Sequence, residues 1–322
     1  MNPTPLKIFV NDNAMFKFSM MLITHWRERG HEVFFEPGAN PSRCEWADLI
    51  YIDFMDGNFY SYFNGVVGDH QAVGWEPYPK KRIAVRGIDI DIWQQRHNDP
   101  KIWSYLDDFI VINQFYYDKV HNETTPNSDG KLHLIRPGVD LTTFTFKPDR
   151  QRGYNIGCVT GNLWEAKASF ETIRIYQELY HKYPDQPWEL YIRGQYFPPE
   201  WRTYAHEQLI KNSPFPERIH IVPQISIPEM VEFYKRMDYI LIPSHKEAFS
   251  FAAAEGMATG AKPVLNNWFG SEWPDKYRFN SIHEAVEMIA GGEWNPSEYR
   301  QYIEEHYDAE RMFKEYDLLF GT

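Results

Sequence analysis

One segment of the chain, residues 243–264, constrains most strongly what this sequence can fold into. It begins where a short β-branched run, YILI, ends, and it leads into KPVLN, which also has the composition of a strand. The alanine-rich residues between them predict a helix, with Ser250 as its N-cap and Gly260 as the glycine after its last turn. Strand, helix and strand in succession predict two parallel strands joined by a crossover helix.

Two carboxylates in this segment lie eight residues apart, Glu247 in the loop and Glu255 in the helix. Eight helical residues rise by about 12 Å, so the two side chains cannot bind one atom but can bind two ends of an elongated ligand. The free N–H groups at the helix start lie between them and suit an anion. Hydroxyl groups at both ends and an anion between them describe a nucleotide sugar. Two solvated glutamates beside a core helix are the alternative, and the spacing alone favours that alternative.

The alternation of strands and helices runs through the whole chain and restarts near its middle. Apolar runs with strand composition, such as LKIFV, LIYID and RIAV in the first half and NIGCV, LYI and YILI in the second, are separated by helical patterns. This alternation predicts an α/β fold with a doubly wound parallel sheet in each half. We expect a first domain at residues 1–150, a second at residues 151–300, and a polar linker at residues 147–153.

Composition and charge exclude several classes of protein. The 322 residues include 43% hydrophobic and 24% charged residues, which is a globular composition. The formal charge of −12 argues against a surface that binds duplex nucleic acid. Cys44 and Cys158 have no metal-site spacing and are expected to be reduced core residues. With no signal segment and no apolar run long enough to cross a membrane, the expected location is cytoplasmic.

Several motifs together resemble the retaining glycosyltransferases of family 4, which have the GT-B fold. IPSHKEAFSF followed by AEGMATG is similar to the E-x7-E signature of that family, with Glu247 and Glu255 on its two glutamates. TGNLWEAK resembles the family's Gly-Arg-Leu-x-x-x-Lys, with Gly161 and Lys167 in place. IRPGVDLTTF resembles the family segment that leads into the interdomain linker.

This resemblance implies a GT-B fold, in which two Rossmann-like domains face each other across a cleft. The first domain would bind the acceptor, the second would bind a nucleotide sugar, and a C-terminal helix at about residues 301–322 would pack back on the first. The implied activity is transfer of a sugar, with retention, from a nucleotide sugar to a hydroxyl group of a glycan or lipid-linked glycan. UDP is the favoured carrier, and neither a metal nor another cofactor is expected.

The resemblance also implies roles for individual residues at the donor site. Glu255 would bind the ribose hydroxyls, Glu247 would hold hydroxyls of the donor sugar, and Lys167 would stabilise the departing diphosphate. The catalytic set implied by the motifs is Glu247, Lys167 and Arg86. The remaining donor-binding candidates are Phe249, Ser250 and Phe251 through their amides, Gly161, Asn162 and Arg193.

The chain departs from the family pattern at three positions of the donor site. Ala248 and Ser250 stand where relatives usually have glycine, and this leaves the loop backbone less free. Asn162 stands where relatives have an arginine, which removes one cation from the expected phosphate site. Arg193, at the end of a neighbouring predicted strand, is the candidate replacement, and a salt-bridged surface arginine is its alternative interpretation.

The acceptor side of the predicted cleft is less defined. Arg86 and Asp89 lie in a segment that resembles the family's His-Gly-x-Asp, with arginine in place of histidine. Arg86 can face the transferred sugar or the phosphates, or it can be structural. Asn11 and Asp12, at the end of the first strand, are further acceptor-binding candidates. Asp89 and Asp91 would face one side of a strand as a metal-binding Asp-x-Asp pair, but a GT-B site needs no metal.

Two other functions remain open for the same fold. One is a phage-type glycosyltransferase that acts on a hydroxylated DNA base, for which the aromatic residues 59–63 would suit a flipped base. The other is a protein that binds a nucleotide sugar without transferring it, or an epimerase. A basic rim on the first domain would favour DNA, and an aromatic or acidic rim would favour a glycan.

Overall fold

The computed structural model describes residues 4–12, 19–38, 40–55, 81–162, 167–195 and 200–322. The chain divides into two compact units, of which the first contains Met1–Pro137 together with Glu310–Thr322 and the second contains Gly138–Ala309. The first unit therefore ends before residue 150, and only the last part of the predicted returning segment 301–322 belongs to it.

A parallel six-stranded sheet with the order β2-β1-β3-β4-β5-β6 forms the centre of the first unit. Its strands are β1 (Lys7–Asp12), β2 (Glu32–Glu36), β3 (Leu49–Asp53), β4 (Arg82–Arg86), β5 (Asp108–Val111) and β6 (Leu132–Leu134). The helices of this part of the chain are α1 (Met20–Glu28), α2 (Pro41–Trp46), α3 (Asp89–Trp93), α4 (Pro100–Tyr105) and α5 (Gln114–Thr124).

A second parallel six-stranded sheet, ordered β12-β11-β10-β7-β8-β9, forms the centre of the second unit. Its strands are β7 (Asn155–Asn162), β8 (Glu189–Gln195), β9 (Ile219–Val222), β10 (Tyr239–Ile242), β11 (Lys262–Asn266) and β12 (Arg278–Phe279). Its helices are α6 (Ser169–Lys182), α7 (Glu200–Lys211), α8 (Ile227–Arg236), α9 (Phe251–Ala258), α10 (Ile282–Ala290) and α11 (Pro296–His306). The predicted α/β class with a parallel sheet in each half is confirmed.

The last helix, α12 (Ala309–Phe320), completes the core of the first unit. Met312, Tyr316 and Phe320 are spaced by four residues, so they lie on one face of the helix, and all three are buried. The Tyr316 ring packs edge-on against Trp26 and Tyr51, at centroid distances of 6.3 and 6.0 Å. The first sheet therefore depends on residues from the far end of the sequence for one side of its core.

The predicted linker, residues 147–153, lies inside the second unit. The buried Arg150 guanidinium donates hydrogen bonds to the backbone oxygens of Met237, Tyr234 (3.0 Å) and Thr259 (3.3 Å). These oxygens lie at or just beyond the ends of α8 and α9, where backbone carbonyls lack the partner four residues on that they have in a helix interior. Arg150 therefore ties the segment to the second unit.

The sequence also predicted the state of the two cysteines and the absence of an apolar run that could cross a membrane. Cys44 and Cys158 are both buried free thiols, as predicted. Among the described residues, no helix is both long enough and apolar enough to span a bilayer.

Candidate active site

The donor-site candidates gather at the carboxyl edge of the second sheet. Strand β10 ends at Ile242, and a loop leads from it to α9. Gly161 and Asn162 end β7, and their backbones pair with Gly194 and Gln195 at the end of β8. Ligands of open α/β sheets bind beyond this edge, so these strand ends are the expected place for a site.

Lys167 and Glu247 form the central contact of the site. Lys167 Nζ lies 2.6 Å from Glu247 Oε1, and the two side chains are 27% and 11% exposed. Lys167 lies two residues before the first residue of α6. The contact joins the segment TGNLWEAK to the loop before α9, across 80 residues of sequence.

Glu255 has a partner, Tyr234, that was not among the predicted site residues. The hydroxyl of Tyr234, a fully buried residue of α8, donates a hydrogen bond of 2.7 Å to Glu255 Oε2. Burial, reinforced by the adjacent carboxylate, raises the pKa of Tyr234 well above its usual value. The phenol therefore keeps its proton and remains a donor to Glu255. Only its position on the buried face of α8, beside Val231, was available from the sequence.

The start of α9 agrees with the sequence prediction. Ser250 Oγ accepts a hydrogen bond of 3.4 Å from the Ala253 amide, and Gly260 follows the helix with φ of +93°. Both predicted caps of this helix are confirmed. The Phe249 ring stacks on Trp273 at 5.7 Å and lies 4.9 Å from the Tyr307 ring, which fixes the loop just before the helix. The amides of the first turn thus have a defined orientation at the site.

Arg193 lies near the carboxyl end of β8, where its backbone pairs with Val159. Its Nε is buried without a hydrogen-bond partner, and no described residue forms an ion pair with its guanidinium. Its positive charge opposes the rise in the pKa of Tyr234, so it acts on the Tyr234–Glu255 pair. A half-buried cation of this kind is suited to an anionic ligand.

In the first unit, Arg86 is held in a buried ion pair with Asp53. Arg86 Nε lies 2.8 Å from Asp53 Oδ1, and Nη2 contacts the other carboxylate oxygen. The register of three neighbouring strands places Asp12, Asp53 and Arg86 side by side at the carboxyl edge of the sheet. Burial raises the pKa of Asp53 to about 6, against the attraction of Arg86. Arg86 was among the predicted site residues, whereas its partner Asp53 was not.

The acceptor-binding candidates at this edge are largely engaged by the protein itself. Asn11 Oδ1 accepts a hydrogen bond of 3.2 Å from the Gly38 amide, and the buried Asp12 accepts one of 2.6 Å from Ser19 Oγ. Asp89 is half-buried at the start of α3. The aromatic residues 59–63 lie outside the described residues.

The Asp-x-Asp alternative required a strand, but both aspartates lie in α3. Residues two apart in a helix do not share a face, so Asp89 and Asp91 do not form such a pair. Asp91 instead accepts hydrogen bonds from the Ile88 amide (3.0 Å) and Arg96 Nη1 (2.8 Å). In the described part of the chain, no group of three or more histidines, cysteines or carboxylates is arranged to hold a metal ion.

Comparison with curated proteins finds partial matches to glycosyltransferases, while no protein-family model matches the chain. D-inositol 3-phosphate glycosyltransferase from Pseudarthrobacter chlorophenolicus is 24% identical over 143 residues, which are 42% of this chain and 33% of that protein. The uncharacterized glycosyltransferase 335 of Sulfolobus islandicus rod-shaped virus 1 is 28% identical over 157 residues, 48% of this chain and 39% of that protein. The chain thus matches between a third and two fifths of the length of these relatives.

Solved structures match over nearly the whole chain. A glycosyltransferase from Rickettsia africae has a TM-score of 0.71 at 13% identity and covers 98% of both chains. HepE from Anabaena, solved with UDP, has a TM-score of 0.71 at 12% identity and covers 98% of this chain and 99% of its own. The chain therefore has the GT-B fold. Since its sequence matches are also to glycosyltransferases, the resemblance to GT-B glycosyltransferases drawn from the motifs is confirmed.

Proposed function

We propose that this protein is a retaining glycosyltransferase that transfers a sugar from a UDP-sugar to a hydroxyl group of a glycan or lipid-linked glycan. The observation that carries the proposal is the 2.6 Å contact between Lys167 Nζ and Glu247 Oε1. It brings together, at one sheet edge, a cation for a diphosphate and a carboxylate for sugar hydroxyls. HepE, which shares the fold, has been solved with UDP and with UDP-glucose.

The proposed donor site runs along this edge from the sugar to the ribose. Glu247 accepts hydrogen bonds from donor-sugar hydroxyls, and Glu255 accepts them from the ribose. Lys167, the first amides of α9 and Arg193 surround the diphosphate. Arg193 thereby supplies the cation that the family has at the position of Asn162.

The transfer breaks the bond between the anomeric carbon and the diphosphate oxygen and forms one between that carbon and the acceptor oxygen. The acceptor hydroxyl attacks the face of the sugar from which the diphosphate departs. Because the leaving phosphate lies on that face, it takes up the acceptor proton. No nucleophilic side chain is required. The main task of the protein is to stabilise negative charge on the departing diphosphate, which Lys167 does most directly.

We assign acceptor binding to the first unit, with Asp89 as its contact residue. Of the candidates there, Asn11, Asp12 and Arg86 are buried and hold other parts of the protein, whereas Asp89 is half-buried. Arg86 is therefore proposed to position this edge through Asp53. In this proposal the metal-independent chemistry rests on Lys167 and Arg193 as the cations.

A screen of nucleotide sugars tests the proposal. UDP-, GDP- and ADP-sugars are added to the full chain while its melting temperature is measured, and release of UDP from the preferred donor is then followed with candidate glycan acceptors. We expect a UDP-sugar to raise the melting temperature most. No shift with any nucleotide sugar would rule out the donor site, and binding without acceptor-dependent UDP release would favour the non-transferring alternative.

Charge removal at Lys167 tests the catalytic assignment. Lys167→Met should lower turnover by about 10²-fold or more, because it removes a charge that stabilises the leaving group. Lys182→Met is the matched control. Lys182 is an exposed lysine at the opposite end of α6, and it forms an ion pair with Glu287 of α10. Equal turnover in the two variants would contradict the role given to Lys167.

A further inference from the structure

We infer that Tyr234 is a positioning residue that orients Glu255 toward the vicinal hydroxyls of a ribonucleotide. The inference rests on the proposed function, because it concerns how the proposed donor site holds its nucleotide. Its starting observation is the 2.7 Å hydrogen bond from the Tyr234 hydroxyl to Glu255 Oε2, which links α8 to α9.

The Tyr234 ring is fixed on several sides. It is fully buried, and its ring packs edge-on against Phe144 at 6.0 Å and Phe233 at 5.8 Å. Its backbone oxygen accepts a hydrogen bond of 3.0 Å from Arg150. The hydroxyl therefore occupies one place, and the carboxylate oxygen that it contacts is drawn to that place.

The backbone of Glu255 is fixed independently. The next residue, Gly256, lies so close to β10 that a Cβ atom there would be 2.3 Å from Ile240 Cγ1. Helix α9 is thus seated directly on the strand, and both ends of the Glu255 side chain are held. An ionised carboxylate has about four acceptor positions, of which the phenol uses one. Because the carboxylate is held at this point, it presents a fixed direction to a ligand that donates from two adjacent hydroxyls.

The ligand class that fits this arrangement is a ribonucleoside diphosphate. A carboxylate held in one orientation meets both ribose hydroxyls without first losing side-chain freedom. With a deoxyribose, one carboxylate acceptor of Glu255 receives no hydrogen bond from the sugar. A site built to bind a hydroxyl therefore binds an analogue that lacks this hydroxyl more weakly. Without the Tyr234 hydroxyl, Glu255 loses its fixed orientation, and this discrimination should fall.

Calorimetric titration of the full chain with UDP, 2′-deoxy-UDP and 3′-deoxy-UDP tests the inference. We expect the wild-type protein to favour UDP over each deoxy analogue by about tenfold or more. Tyr234→Phe should reduce both ratios to about threefold or less, mainly by weakening the binding of UDP. General destabilisation would change the affinities for all three ligands together and leave the ratios intact.

Tyr176→Phe is the matched control. Tyr176 is also fully buried in the second unit, and its hydroxyl donates a hydrogen bond of 3.1 Å, to the backbone oxygen of Phe215. Its loss should leave the UDP to deoxy-UDP ratios unchanged. Full discrimination in Tyr234→Phe, or none in the wild type, would overturn the role of Tyr234, whereas a wild type that binds none of the ligands would overturn the donor site itself.

If Tyr234→Phe does not fold, 3-fluorotyrosine at position 234 keeps the ring and the hydroxyl and reports on them by fluorine NMR. UDP should shift the fluorine resonance more than 2′-deoxy-UDP does, because only UDP engages both acceptor positions of Glu255. Equal shifts at saturation with the two ligands would contradict the inference.

Discussion

Asp53 and Arg86 are buried together at the carboxyl edge of the first sheet, with side chains 0% and 6% exposed. Their carboxylate and guanidinium meet through two parallel hydrogen bonds, the geometry in which an arginine and a carboxylate bind most strongly. A buried pair of this kind adds little net stability, because both charges lose their hydration. Loss of one partner, however, leaves the other charge buried without compensation.

We therefore expect Asp53→Asn to lower the free energy of unfolding by about 3–5 kcal/mol. The double variant Asp53→Leu/Arg86→Met should recover most of that loss, because it removes both charges and retains much of the apolar volume. Urea unfolding of the single and double variants measures both effects. A double variant as unstable as Asp53→Asn would contradict this account of the pair.

The same double variant separates the two roles considered for Arg86. If Arg86 only positions the sheet edge, the refolded double variant retains substantial transferase activity. If Arg86 contacts the reacting groups, as the motifs suggested, activity is lost although stability returns. The sequence predicted that Arg86 lies at a strand end, but its partner could not be found, because Asp53 lies 33 residues earlier and no spacing rule joins the two.

At the scale of single elements, α9 shows which parts of the site are encoded locally. Ser250, Gly260 and the flanking strands follow from short-range rules for caps and for β-branched runs, so the sequence predicted them. Tyr234 could not be predicted as a partner of Glu255, because their contact depends on how α8 and α9 pack on the same sheet. The helix that holds Asp89 and Asp91 was not predicted for a related reason, since five residues are too few for a helical period to be distinguished from a strand.

The seating of α9 on β10 gives a prediction for Gly256. Alanine in place of a helical glycine normally stabilises by about 1 kcal/mol. Here the added Cβ would meet Ile240 Cγ1 at 2.3 Å, so Gly256→Ala should instead destabilise the protein by about 1–3 kcal/mol. It should also weaken the binding of UDP, because the helix that carries Glu255 must move away from the strand.

A double-mutant cycle with Ile240→Ala provides the control. Ile240→Ala alone should cost about 2–5 kcal/mol, since it leaves a cavity in the core. In the double variant, the methyl group added at position 256 fills the space left by the Ile240 side chain. The loss of unfolding free energy should therefore be smaller than the sum of the two single losses by about 1 kcal/mol or more. Thermal and urea unfolding measure the cycle, and simple additivity would show that the Cβ contact does not limit this position.

At the scale of the whole molecule, each unit has its own sheet and its own core, and the chain returns to the first unit only at its end. The β-α alternation predicted the two sheets, because it repeats in sequence. The boundary was harder to predict, since residues 147–153 have the polar composition of a linker. In the structure this segment belongs to the second unit through the buried Arg150.

This organisation predicts that a destabilising substitution in α12 lowers the stability of the first unit and leaves the second unit unaffected. Tyr316→Ala removes a ring that packs on Trp26 and Tyr51 and should destabilise the first unit by about 3–5 kcal/mol, as for other large buried side chains. Hydrogen exchange measured by mass spectrometry should show faster exchange in β1 and β3, whereas β7, β10 and α9 keep their protection and their response to UDP.

Leu318→Ala is the control within the same helix, because Leu318 is 86% exposed and its loss should leave exchange unchanged throughout. Both variants shorten a side chain in α12 to alanine, but only Tyr316 is buried. Faster exchange in β7 and β10 of Tyr316→Ala, to the extent seen in β1 and β3, would mean that the two units unfold as one. Retained UDP protection with a destabilised first unit would instead support the proposal that the second unit alone holds the nucleotide, through Lys167, Glu247 and Glu255.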